Sequence, residues 1–191
     1  ELLEMVGLLQ EQKFILKTEA PWDIGGTIMM EDEQEVIYFM CNIIDVKFED
    51  IIHHYIDIIE YAGKFSDSFS LITSLSKPYT KIPPNCTHDH ILNLFEPYLI
   101  NQKVGIKEWP GTITRDNHRV MNVYRSCKEA RSILLELPNI FVISNGLPQD
   151  ICFYRKDNVW FATVTHENMA YMENPSSKDM EFLKQSNISF S

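Results

Sequence analysis

The chain has 191 residues, of which 45% are apolar, 23% charged and 12% aromatic, close to ordinary globular usage and far from disordered or fibrous compositions. At this length folding buries roughly 70% of the surface an unfolded chain exposes, enough for a hydrophobic core without metal or disulfide staples. Lys and Arg number 17 against 27 Asp and Glu, and the resulting net charge of −10 repels phosphate backbones and anionic lipid at long range, which disfavours nucleic acid as a partner.

Cys41, Cys86, Cys127 and Cys152 form no CxxC pair and are too sparse for a secreted disulfide scaffold, so they read as free thiols in a reducing compartment, the cytoplasm. The longest apolar run, VIYFMCNII at 36–44, falls well short of the roughly 20 residues a spanning helix needs, and no membrane association is expected. The opening ELLEMVGLLQEQ lacks the basic start and long apolar core of a signal peptide.

In chain order, 1–12 carries Leu2, Val6 and Leu9 at helical spacing, a short amphipathic helix at the periphery. Segments 13–17, 27–30 and 35–44 read as strands of a meander, broken at Pro21 and at Gly25-Gly26. From 48 to 63 the apolar positions Ile51, Ile52, Tyr55, Ile59 and Ala62 predict a helix that Gly63 stops. A strand follows at 69–75. A second helix, capped by Thr87, then carries Ile91, Leu92, Phe95, Tyr98 and Leu99. Residues 104–109 read as extended, Pro110-Gly111 as a turn, and 115–137 as the longest helix, ended by Pro138. A strand at 140–144 precedes a hairpin of 151–155 and 160–166 with Asp157-Asn158 at its turn, since both residue types tolerate positive φ. A short fraying helix occupies 176–185. Strands and helices mix without strict βαβ alternation, which predicts an α+β fold: one domain over 1–191, a mixed or mainly antiparallel sheet packed against about three main helices, and a poorly ordered tail at 176–191.

Seven glycines, with no GxGxxG and no GxxxxGK[ST], leave no phosphate cradle, and no cofactor is expected. His53 and Asp57, with Glu60 three residues on, share one helix face and are candidate metal ligands, though a solvated face has the same pattern. Cys86, His88 and His90 would point one way on a strand, as zinc prefers, but on a helix His88 and His90 stand about 200° apart. His166 falls at the open end of the apolar hairpin face, where Glu167 could orient it as a general base. In the register that pairs Arg155 with Trp160, the guanidinium lies over the indole, and Arg155 needs no further role.

Four of the five arginines, Arg115, Arg119, Arg125 and Arg131, fall within 17 residues of the expected long helix. There Arg115, His118, Arg119, Asn122 and Arg125 share one side, able to hold a phosphate or carboxylate, while Arg131 lands on the apolar side and requires a buried partner or a ligand.

Two functions compete. The first is an acidic protein-binding domain, of the kind that inhibitors, antitoxins and immunity proteins represent, which occludes a basic partner protein; it lacks a catalytic constellation, and Glu31, Asp32, Glu33 and Glu35 at an expected hairpin tip are its contact candidates. The alternative is an enzyme acting on a small anionic ligand, phosphorylated or carboxylated, with the arginines binding the anion and His118 or His166 as acid and base. It requires His118, Arg125 and His166 to lie within a few ångströms of one point. A metal-dependent hydrolase built on His53, Asp57, His88 and His90 ranks below both.

Overall fold

The structure, a computed structural model, describes residues 15–17, 25–29, 36–40, 42–47, 51–74, 88–137 and 148–191. By its backbone contacts the chain divides into two compact units, 1–42 and 43–191. The expected helix at 1–12, the strand at 140–144, the Thr87 cap and the acidic contact candidates Glu31, Asp32, Glu33 and Glu35 lie outside the described residues.

In the first unit β1 (Ile15–Lys17), β2 (Gly25–Met29) and β3 (Val36–Met40) form the expected antiparallel meander. Ile15 pairs with Met29, and Met29 with Val36. The third strand ends four residues earlier than the apolar run suggests, because Ile43 and Ile44 open a separate strand in the second unit.

The second unit runs β4 (Ile43–Lys47), α1 (Ile51–Phe65), β5 (Ser68–Ser74), α2 (His88–Phe95), β6 (Leu99–Ile106), β7 (Glu108–Trp109), β8 (Thr112–Ile113), β9 (Arg119–Arg125), α3 (Lys128–Glu136), β10 (Gln149–Arg155), β11 (Asn158–Val164), β12 (Met169–Glu173), α4 (Ser177–Gln185) and β13 (Ser189–Phe190). Its main sheet has the order β13-β4-β12-β11-β10-β5-β9-β6, and every neighbouring pair is antiparallel; β7 and β8 form a small hairpin of their own. The fold is α+β with a mainly antiparallel sheet, as predicted, but the sheet is the larger element: eight strands, beside four helices among the described residues.

One face of the sheet carries the core. Phe69 of β5, Tyr124 of β9 and Phe153 of β10 lie side by side, with ring centroids 5.3 and 5.9 Å from Phe69, and Phe95 of α2 meets Phe69 edge-on at 5.6 Å. Ile58, Ile59 and Ala62 of α1 and Ala130 and Leu134 of α3 complete it. The Tyr55 hydroxyl donates to the Leu134 carbonyl at 2.5 Å, tying α1 to α3 through a bond that satisfies a buried phenol.

The expected helix over 115–137 is wrong for its first half. Along β9, Val120, Asn122 and Tyr124 are buried while Arg119, Met121 and Val123 are half-buried, a period of two. Apolar residues at 120, 123, 124, 127, 130 and 134 also fit a period of 3.6, which is why the segment reads as a helix; only the part from Lys128 onward is one, entered through Cys127 in an extended conformation. Gly63 does not stop α1, which continues to Phe65; Ser66 closes it by donating its hydroxyl to the Ala62 carbonyl at 2.5 Å. Leu99, expected at a helix end, opens β6 after a single 3-10 turn at Glu96–Tyr98.

The β10–β11 hairpin forms, but its turn is Lys156-Asp157, at φ 49° and 65°, rather than Asp157-Asn158. The expected pairing of Arg155 with Trp160 does not occur. Arg155 pairs with Asn158, Tyr154 with Val159 and Phe153 with Phe161, which leaves Trp160 as the extra residue of a β-bulge. The segment expected as a poorly ordered tail contains α4, begun by a capping box in which Ser176 and Asp179 bond each other's backbone N–H, and then β13, which pairs with β4.

Candidate functional site

The arginine cluster does not form a common face. Arg115 and His118 are exposed on the connection from β8 to β9. Arg119 opens β9 and donates from Nη1 to Ser74 Oγ at 3.0 Å. Asn122 points to the opposite face, 1% exposed, where its Nδ2 donates to Thr73 Oγ1 at 3.2 Å and its Oδ1 accepts from Gln102 Nε2 at 2.7 Å. Its amide is consumed by the sheet and is not part of an anion clamp. Arg131 lies on α3 with its side chain 19% exposed; its Nη1 stands 3.9 Å from Glu60 Oε2, and its methylenes cover Gly63 so closely that a Cβ there would come within 2.4 Å of Arg131 Cδ. Glu60 is 41% exposed, so the pair is a partly solvated one and not the buried partner the sequence predicts for Arg131.

His118 and Arg125 do not meet at one point, as the arginine-and-histidine alternative requires. Arg125 closes the strand that begins beside His118, and at 3.3–3.4 Å per residue the two ends of β9 are about 20 Å apart. His166 and Glu167 sit in a 3-10 turn after β11, not on the hairpin's core face; both are exposed, with Nε2 3.6 Å from Oε1. Among the metal candidates, His53 is exposed and Asp57 half-buried on α1, and His90 is exposed on α2, which His88 opens. Among the described residues no group of three or more His, Cys, Asp and Glu is placed to hold a metal ion. Cys127 and Cys152 are free, and burial pushes the Cys152 thiol upward, which keeps it protonated and unreactive.

What the basic residues do share is one end of the sheet. β6 is the last strand and, among the described residues, has a strand neighbour on one side only, β9. Its outer backbone N–H and C=O groups are thus a template for a further strand. Leu99, Ile100 and Val104 are 42%, 56% and 61% exposed, an apolar share that edge strands ordinarily avoid. Pairing with β9 skips Ile100 and Gly105, two bulges that bend the edge; Gly105 supplies the second at φ 72°.

Register assigns each side chain a face. Leu99, Gln102 and Val104 stand opposite Tyr124, Asn122 and Val120, on the core side; Asn101 and Lys103 stand opposite Val123 and Met121, on the other. Arg119 and Arg125 share that second face at the two ends of β9. Between residues 99 and 125 the chain carries Lys103, Lys107, Arg115, Arg119 and Arg125 against Glu108 and Asp116, a net-positive edge on a protein of net charge −10. The sequence shows this island but spreads it over a helix; the missed residues are Leu99, Ile100 and Val104, whose signal was the carboxylate-free run LINQKVGIK.

In comparisons with family models, curated proteins and solved structures, nothing matches this chain. Among the described residues, no helix is long and apolar enough to cross a membrane.

Proposed function

We propose that this chain is a protein-binding domain whose recognition surface is the β6 edge of its sheet. The observation that carries this is the exposure of Leu99, Ile100 and Val104 on a strand with a neighbour on one side only, among the described residues. Strand addition to such an edge uses backbone hydrogen bonds for affinity and alternate side chains for specificity. Inhibitors, antitoxins and immunity proteins act by occluding a partner, and an added strand is one way to do so. The net charge of −10 favours approach by a basic partner protein at long range, while contact at β6 is governed by the residues of the edge itself. Free Cys127 and Cys152 are in keeping with a cytoplasmic location.

The test is parallel affinity capture from lysate of the source cells with the natural chain and with Ile100→Ser/Val104→Ser, a change at exposed positions that leaves stability within about 0.5 kcal/mol. A stoichiometric partner retained by the natural chain and depleted at least tenfold on the variant supports the assignment. A partner captured equally by both removes β6 from the recognition surface.

A further inference from the structure

We propose that the segment accepted at β6 is an extended strand alternating apolar and acidic residues. The inference rests on the protein-binding reading and adds the chemistry of the partner. A strand laid beside β6 places successive side chains on opposite faces of the sheet. On the core side its residues meet Leu99 and Val104, which leave exposed apolar surface there. On the other side they meet Lys103 directly, with Arg125 at the end of β9 one strand further in, roughly 10 Å across the sheet from the added strand; Arg119 turns away from this edge, to Ser74 of β5.

Carboxylates on that second face are therefore matched by the charges present, and lysines or arginines would place like charges directly across the strand pair, which destabilises it. The same count argues against a second copy of this chain as the occupant. Two β6 strands offer Lys103 no carboxylate, since 99–106 contains none, and they would come together on molecules that each carry a net charge of −10.

The experiment pans a random dodecapeptide display library on the full chain, on Lys103→Glu, and on Ile100→Ser/Val104→Ser, with circular dichroism confirming that each variant is folded. The expected result is enrichment of peptides with Asp or Glu at alternate positions and apolar residues between them, binding at least fivefold more weakly to Lys103→Glu and at least tenfold more weakly to the Ser variant. Enriched peptides that are basic or uncharged, yet lost on the Ser variant, overturn the acidic preference and leave strand addition standing. Enriched peptides indifferent to the Ser variant, or no enrichment at all, overturn strand addition and the inference with it. A dimer in sedimentation that the Ser variant dissociates identifies a second copy as the occupant and overturns the proposal.

Discussion

Arg155 and Asp179 meet through two parallel hydrogen bonds, Nη1 to Oδ2 and Nη2 to Oδ1, each 2.9 Å long. The fork matches the carboxylate plane, and the rest of the guanidinium is equally engaged: Nε donates to the Phe65 carbonyl at 3.0 Å and Cζ lies 3.8 Å from the centre of the Trp160 ring. The Tyr61 hydroxyl donates to Asp179 Oδ1 at 2.9 Å, and Ser176 donates to Oδ2 from both its backbone N and its Oγ. One carboxylate thus joins α1, the β10–β11 hairpin and α4. Its side chain is 1% exposed against 26% for Arg155, so removing it leaves a largely desolvated cation without its counter-charge. Asp179→Ala is expected to lower the unfolding free energy by about 3–5 kcal/mol in urea titration, and Arg155→Lys, which keeps the charge but loses the fork, by less. A loss under about 1 kcal/mol for Asp179→Ala contradicts this assignment.

Acid stability follows from the same group. Burial pushes the Asp179 carboxyl upward, but the hydrogen bonds from Arg155, Ser176 and Tyr61 outweigh it and hold the group at about 2, below its ordinary 3.8. A carboxyl depressed in the folded state binds protons more readily once unfolded. Its contribution is therefore complete above the unfolded value near 4 and is lost as pH falls from about 4 through about 2. That difference corresponds to about 2 kcal/mol. Urea midpoints measured between pH 5 and pH 2 should fall more steeply for the natural chain than for Asp179→Asn, which has no proton to gain.

Gly111 forms the tip of the β7–β8 hairpin at φ 76°, where a Cβ would lie 2.5 Å from Val164 Cγ2 and 3.2 Å from Tyr171 Cε1. The hairpin is held on the sheet by Trp109, whose Nε1 donates to Asp150 Oδ2 at 2.8 Å; Asp150 in turn accepts from the Thr165 backbone N at 2.7 Å. Gly111→Ala meets both a disfavoured backbone conformation and a steric block, and should cost about 2–3 kcal/mol. Trp109→Phe leaves Asp150 without one donor and should cost about 1–3 kcal/mol. Thermal melts followed by tryptophan fluorescence for Gly111→Ala, and by circular dichroism for both, check these values.

Local patterns, the α+β class and the β1–β3 meander were legible in this sequence, and the strand order of the main sheet was not. The apolar spacing of Tyr55, Ile59 and Ala62 locates α1, and the stacking of Arg155 on Trp160 is found as expected, although a bulge rather than direct pairing brings it about. Asp179, the other half of the Arg155 site, was invisible because nothing at one position announces a partner 24 residues away. The arginine cluster was misplaced because Val120, Val123 and Tyr124 satisfy two periodicities over a short window, and burial of Asn122 decides between them only in the folded chain. That β6 is an edge among the described residues depends on β9 pairing with β5 on its other side, a fact of strand order that no local segment contains.

The most direct measurement is amide hydrogen exchange of the full chain, read by mass spectrometry with and without an eight-residue peptide alternating Val and Glu. Strand addition predicts slowed exchange confined to Leu99–Ile106 and absent in Ile100→Ser/Val104→Ser. Unchanged exchange over Leu99–Ile106, or protection arising only elsewhere, contradicts the assignment of this edge as the binding surface.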